Sequence, residues 1–182
     1  RSLAAAVRQK CRAGALAGPT AGLAPGHAQA NLVCVPKAHA FDFARFCLLN
    51  PRPCPLLAIA ATPTDLSPRI ARGADLARDL PRYRVWRDGR VVDEVKDAAH
   101  VWAGDELTGF LLGCSFSWEQ ALADAGFPVE IPLLTGHADG ARGIAEASVA
   151  DWRRDVAQPT EHLFRRTGVA PLVIGFSMGG LL

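Results

Sequence analysis

Short apolar runs closed by glycine or proline set the tightest limit on what this chain can fold into. Runs such as "NLVCV", "LLAIA" and "LTGFLLG" suit buried strands, because they are too short for a buried helix. Helical segments separate them, beginning with an amphipathic stretch that ends at Gly14 or Gly18 and continuing with "AFDFARFCLL". Strands that alternate with helices predict an α/β fold, with a mixed sheet and flanking helices.

The later part of the chain adds a hairpin and a tail. "RYRVWRDGRVVDEV" predicts a β-hairpin with Asp88-Gly89 at its turn. "FPVEIPLL" and "APLVIGF" predict two strands on either side of a helix, "IAEASVADWRRDV". We expect that helix to end at Pro159, because proline costs about 3 kcal/mol inside a helix. The end of the chain is therefore predicted to be a β-α-β tail.

Charge and cysteine usage exclude several classes of protein. The 20 basic and 18 acidic residues leave a net charge of +2, and the basic residues are scattered, so neither nucleic acid nor a membrane is expected as a partner. The five cysteines form no C-x-x-C pair, which favours a reducing, cytoplasmic location. The histidines show no metal-binding spacing, and we expect no metal.

The strongest local site is "GFLLGCSFSWEQ", where a strand ends and a capped helix begins. Free backbone N–H groups at a helix start bind carboxylate or phosphate, and Ser115 and Ser117 add hydroxyl donors. Cys114 lies near the positive end of the predicted helix, which lowers a thiol pKa. These three residues are the predicted catalytic group. The alternative is structural, with Cys114 a small buried residue and Ser117 only an N-cap.

A second candidate is the loop "GPTAGLAPGHAQANL". Its glycines let the backbone approach a ligand closely, and Gln29 and Asn31 can recognise an amide or a carboxylate. The same two side chains can instead tie the loop to itself. The loop lacks the glycine spacing of nucleotide-binding motifs, so no nucleotide cofactor is expected.

Two further segments present arginine beside other polar groups. "NPRPCP" is a rigid turn that carries Asn50 and Arg52, and "DLPRYRVW" carries Arg82 and Tyr83. An arginine can hold a carboxylate through two parallel hydrogen bonds, so these four residues are predicted to bind substrate. Ordinary surface charge is the alternative interpretation.

The chain ends in "APLVIGFSMGGLL", which has the G-x-S-x-G pattern of a nucleophile elbow. Ser177 is therefore an alternative nucleophile. A catalytic serine needs a base and an orienting carboxylate, and in α/β-hydrolases both follow it in the chain. The five residues after Ser177 are Met178, two glycines and two leucines, which cannot fill either role.

Three long blocks follow one another along the chain: "TAGLAPGHAQANLVCVPKAHAFDFARFCLLNPRPCPLL", "DLPRYRVWRDG" and "FLLGCSFSWEQALADAGFPV". From about Arg8 to Val129 they resemble the bacterial hydro-lyase family that includes D-glutamate cyclase. The resemblance implies a two-subdomain α/β fold, incomplete here, and cyclisation of D-glutamate, an amino-dicarboxylate, to 5-oxo-D-proline plus water. It implies no metal or organic cofactor. Arg78 stands where the family is expected to have threonine.

From about Ile131 the chain instead resembles an α/β-hydrolase of the carboxylesterase or lysophospholipase kind, through "IPLLTGHADG" and the elbow strand. We therefore expect a truncated hydro-lyase-like domain over residues 1–130. Residues 131–182 are expected to be an α/β-hydrolase-like fragment or a divergent tail. Three functions stay open: a hydro-lyase, a serine esterase that uses Ser177, and a non-catalytic ligand-binding fragment.

Overall fold

A computed structural model describes residues 2–114, 119–137 and 140–175 of the chain. Contacts divide the chain into two compact units, Arg1–Gln120 and Ala121–Leu182. Helices accompany open, antiparallel sheets, so the predicted α/β class is confirmed. None of the helices in the described ranges combines the length and the apolar character that a membrane crossing requires.

The described part of the first unit alternates helices with short strands. Ser2 caps the first helix, accepting a hydrogen bond from Ala5 N at 3.3 Å. Prolines after Asn50 stop the second helix, as the sequence predicts. The elements in order are α1 (Leu3–Arg12), β1 (Ala30–Pro36), α2 (Ala40–Leu49), β2 (Leu56–Ala60), α3 (Pro68–Ala71), β3 (Tyr83–Arg87), β4 (Arg90–Val95), α4 (Ala99–Asp105), β5 (Leu107–Gly113) and α5 (Glu119–Asp124), the last of which crosses into the second unit.

The three-stranded sheet has the order β1-β5-β2, with β5 in the centre. Both neighbours run antiparallel to β5, and Val33 and Ile59 both lie opposite Phe110. The predicted strands are therefore correct, but every strand pair in the described ranges is antiparallel rather than mixed. β1 and β2 therefore run in the same direction on either side of β5 and do not pair with one another.

The two faces of this sheet bury different cores. On one face Trp102 of α4, which is 5% exposed, packs in a cluster with Ala60, Leu66 and Leu76. An added Cβ at Gly109 would lie only 2.6 Å from the Trp102 ring, so the ring approaches the strand directly at this glycine. On the other face α2 contributes Phe43, whose ring meets that of the fully buried Phe110 edge-on, with centroids 4.8 Å apart.

The predicted hairpin forms between β3 and β4. Asp88 and Gly89 have φ values of 50° and 74°, which is the left-handed backbone that a type I′ turn requires. Tyr83 lies opposite Val95 at the open end of the hairpin.

The regular structure described in the second unit is helical and consists of the end of α5, α6 (Gly140–Glu146) and α7 (Val149–Thr167). A capping box starts α7, in which Ser148 and Asp151 each bond the other's backbone N–H, and Gly168 ends it with φ 70°. The predicted stop at Pro159 is wrong, because α7 continues through this residue for two more turns. The capped ends and the turns on either side support the helix where the proline donor is missing.

The predicted tail strands do not form in the described residues. Residues 127–134 and 170–175 have no strand assignment. Pro128 and Pro132 remove backbone donors from the first segment, and a strand gains its ladder bonds only from a neighbour. The described part of the tail is therefore α rather than β-α-β. The assignment of 1–130 and 131–182 to two protein families remains a prediction.

Candidate functional site

Two of the predicted sites meet where β5 ends and β1 begins. The N–H of Cys114 donates to the carbonyl oxygen of Gln29 at 3.3 Å, and Gly113 N donates to Pro55 O at 2.9 Å. Antiparallel pairing causes this meeting, since the carboxyl end of one strand lies beside the amino end of its neighbour. The glycine- and proline-rich loop and Cys114 therefore share one end of the sheet.

Gln29 faces a cavity of about 190 Å³ on the Trp102 side of the sheet. The Gln29 amide Nε2 donates to Thr20 Oγ1 at 2.8 Å. This hydrogen bond joins two parts of the loop, which agrees with the alternative prediction that Gln29 ties the loop to itself. Leu32 and Leu111 supply an apolar floor. Asn31 lies opposite Leu112 on the other face of the sheet and does not line the cavity. Alternation along β1 thus separates the two polar residues that the sequence placed together.

Arg8 and His27 line this cavity and also a wider cleft of about 570 Å³ beside α1. The Arg8 guanidinium contacts Asp79 Oδ2 through Nε at 3.3 Å and donates from Nη2 to Arg72 O at 3.0 Å. Its other terminal nitrogen makes no hydrogen bond within the described ranges. The His27 ring is exposed, with Nδ1 3.1 Å from Pro25 O. A cation and an imidazole thus stand at the entrance of the cavity.

A buried carboxylate fixes Arg8 in this position. The side chain of Asp79 is 3% exposed and contacts the guanidinium groups of both Arg8 and Arg12, as well as the N–H of Asp75 at 2.8 Å. The hydrogen bond with Asp79 raises the pKa of Arg12 above its ordinary value. Two arginines therefore share one buried carboxylate beside the cavity.

Asn50 and Arg52 lie in the turn that leads into β2. The side-chain amide of Asn50 donates to Phe46 O at 2.8 Å, and the backbone carbonyl of Asn50 accepts from Cys54 N at 2.9 Å, so this residue holds the end of α2 and the turn after it. Arg52 is exposed and makes no ion pair with a described residue. The turn reaches the same end of the sheet as Cys114, through the bond from Gly113 N to Pro55 O.

Arg82 and Tyr83 belong to the hairpin and do not line the cavity. Arg82 Nη1 pairs with Glu94 Oε1 at 2.7 Å across the two strands. The Tyr83 hydroxyl accepts a hydrogen bond from Leu80 N at 3.1 Å, and burial raises the pKa of this phenol. Leu80 itself lines the cavity, so the hydrogen bond from Leu80 N to the Tyr83 hydroxyl holds part of the cavity wall in place.

The remaining predicted residues cannot be placed. Ser115, Ser117 and Ser177 lie outside the described residues. The half-buried Cys114 is the described member of the predicted catalytic group, and it is not part of a disulfide. Sequence reasoning missed Arg8 and His27 as site residues. The one available signal was the four-residue spacing of Arg8 and Arg12, which puts both on one face of α1.

Curated relatives resemble this chain over about two thirds of its length. A protein of Rubrobacter xylanophilus named "Putative hydro-lyase" is 55% identical over 123 residues, which are 68% of this chain and 47% of the relative. A Bordetella pertussis protein of the same description is 52% identical over 122 residues, or 67% of this chain and 44% of the relative. No family model matches the chain.

A Streptomyces coelicolor relative, also named as a hydro-lyase of this kind, is 54% identical over 116 residues, 63% of this chain and 40% of the relative. The chain thus spans less than half the length of these curated relatives. The similarity to proteins with the hydro-lyase name supports the resemblance seen in the sequence. None of these relatives supports the α/β-hydrolase resemblance of the tail, which stays a prediction.

Proposed function

We propose that this chain forms part of a hydro-lyase that acts on a small amino-dicarboxylate, with D-glutamate as the substrate and 5-oxo-D-proline and water as the products. The names of the curated relatives support the reaction class. The observation that carries the substrate class is the cavity beside Gln29, which Arg8 lines with a cation held by the buried Asp79.

The reaction defines what the site must supply. The α-amine of D-glutamate attacks the γ-carboxyl carbon, so one C–N bond forms and one C–O bond breaks. The ammonium gives up two protons, which leave with the departing oxygen as water. A catalyst therefore needs a donor for the α-carboxylate, a group that takes a proton from the ammonium, and a group that gives one to the oxygen.

Arg8 meets the first requirement. A guanidinium binds a carboxylate through charge-assisted hydrogen bonds, and Arg8 has a terminal nitrogen that its described contacts leave available. His27 lies at the same entrance, and an imidazole is a common general acid or base. Cys114 reaches this end of the sheet through its backbone bond to Gln29. Cys114, Ser115 and Ser117 stay the proposed catalytic group.

A binding experiment tests the carboxylate site in this chain. D-glutamate titrated calorimetrically should bind the chain, and Arg8→Gln should weaken that binding at least tenfold. Arg45→Gln is the matched control, because Arg45 is an exposed arginine of α2 that lines neither the cavity nor the cleft. Equal binding by the two variants would remove Arg8 from the site.

Turnover is tested in a full-length relative, because the chain spans less than half the length of these relatives. The full-length Rubrobacter xylanophilus relative should convert D-glutamate to 5-oxoproline, detected by mass spectrometry, while L-glutamate serves as the stereochemical control. No product from either enantiomer would refute the proposed substrate. Binding by the present chain without turnover in the relative would instead support a ligand-binding function.

A further inference from the structure

An exposed apolar surface crosses α2 and β2, on the opposite side of the sheet from the cavity. It consists of Phe41, Phe46, Leu48, Leu49 and Ile59, and is called the α2–β2 face below. These side chains are 78%, 52%, 71%, 67% and 49% exposed, respectively. In a surface helix such positions are normally polar, and a contiguous apolar patch on a folded protein marks an interaction site.

Two members of the α2–β2 face, one from each element, lie around the aromatic pair Phe43 and Phe110, of which Phe110 is fully buried. Ile59 lies opposite Phe110 in the sheet, and Phe43 packs edge-on against Phe110. The Phe46 ring stacks on Phe43, with centroids 6.3 Å apart. Side chains of α2 and β2 therefore meet around the same two rings.

Phe41 and Leu48 are seven residues apart, so they lie on one side of α2, two turns from each other. Of the ten residues of this helix, Asp42 and Arg45 carry charge and Cys47 alone is buried. Both charged residues are exposed, and four large apolar side chains share the exposed surface of the helix with them.

The strand beside this helix is also unpartnered on one side. β2 lies at an edge of the three-stranded sheet and pairs with β5 but with no other described strand. The N–H and C=O groups on its outer edge are free to pair with a further strand. An apolar helix face next to an open strand edge is the arrangement that accepts an added strand and its side chains.

The relatives indicate what covers this surface. The matched 123 residues make up only 47% of the Rubrobacter xylanophilus relative, and the sequence resemblance from about Arg8 to Val129 includes both α2 and β2. We propose that the α2–β2 face is the docking surface for the part of the hydro-lyase polypeptide that lies outside this match. That part adds a strand to the free edge of β2 and covers α2 with apolar side chains.

The test combines the present chain in trans with the part of the relative outside the match. The probe is the portion of the Rubrobacter xylanophilus relative outside the matched residues, produced separately and mixed with the full chain. We expect a one-to-one complex by analytical ultracentrifugation. We also expect slower hydrogen exchange of the Leu56–Ala60 amides in the mixture.

Two variants localise the contact. Leu48→Glu with Leu49→Glu should weaken the complex at least tenfold, and both positions are exposed enough for the chain to stay folded. Val92→Glu, on the exposed face of β4, is the matched control and should bind within twofold of the wild type. Equal binding by the double variant, or protection of β2 that grows with the concentration of the chain alone, would overturn the proposal in favour of another surface or a second copy.

A second experiment tests the proposal if the separately produced polypeptide does not fold. The same two positions are changed to glutamate in the full-length relative. A loss of thermal stability there supports coverage of the face inside one chain, and an unchanged melting temperature contradicts it. Neither experiment measures activity, so a failed docking proposal and a failed substrate proposal are distinguishable.

Discussion

Replacing Gly109 by alanine tests the contact between β5 and α4. The new Cβ would lie 2.6 Å from Trp102 Cη2 and 3.3 Å from Cζ2. Carbon atoms pack best at about 3.5–4.0 Å, so the ring must move away by roughly 1 Å. Trp102 is 5% exposed and belongs to the buried cluster that contains Leu66 and Leu76, so a shift of its ring disturbs these side chains.

The size of the effect follows from this packing. Overpacking a well-filled core costs about 1–3 kcal/mol, and the short contact with a rigid ring puts Gly109→Ala in the upper half of that range. In a domain of this size such a loss lowers the melting temperature by about 5–10 °C. The expected free-energy change is measured by urea unfolding followed by tryptophan fluorescence or circular dichroism.

Gly104→Ala is the matched control, because Gly104 lies in α4 with nothing within 4 Å of the added Cβ. This change should stabilise the helix by up to about 1 kcal/mol. Trp102→Phe should relieve the Gly109→Ala defect, since the smaller ring lacks the atoms that clash. Trp102 Nε1 is buried and has no hydrogen-bond partner among the described residues, so no hydrogen bond is lost. A neutral Gly109→Ala, or no coupling with Trp102→Phe, would refute this account of the core.

Three further predictions concern polar contacts and helix α7. The hydrogen bond with Ser148 is the main reason that the pKa of Asp151 is lowered from 3.8 to about 2. The capping box should therefore stabilise α7 above about pH 4 and lose this effect as the pH falls towards 2. Circular dichroism should show that the helix content of Ser148→Ala depends less on pH. Pro159→Ala restores a helix donor and should stabilise α7 by about 1–3 kcal/mol, seen as slower amide exchange; unchanged exchange would contradict this. Asp79→Asn removes the charge that binds two partly exposed arginines and should cost about 1–2 kcal/mol, with faster proteolysis within α1; equal cleavage would show that the cluster does not hold this helix.

Local signals in the sequence predicted most of the strands. Pro36 closes β1, the prolines after Asn50 separate α2 from β2, and Asp88-Gly89 forms the hairpin turn because these residues adopt left-handed backbone. Each of these features depends on neighbours in the chain, which is why the sequence alone reveals them. Helix α4 was missed, because it has no polar cap at Ala98 and ends at Glu106 in a left-handed conformation normally taken by glycine.

Long-range contacts could not be predicted. Arg8 and Asp79 come into contact only after folding, and no local sequence pattern near either residue indicates the other. The meeting of Gln29 with Cys114 depends on the register of β1 against β5, which the sequence does not specify. At Pro159 a local signal gave a wrong prediction. Proline disfavours a helix interior, but α7 is capped at both ends and continues through this residue.

The central position of β5 has a consequence for how the chain folds during synthesis. β1 and β2 leave the ribosome early, yet they do not pair with each other and must wait for a strand that begins at Leu107. Contacts this distant in sequence form slowly, because the loop between them has to be closed first. Until β5 arrives, two apolar strands stay unpaired on the nascent chain and can associate with other chains. Chaperone capture of nascent chains that stop before residue 107, and release from those that extend past Gly113, would show this dependence directly.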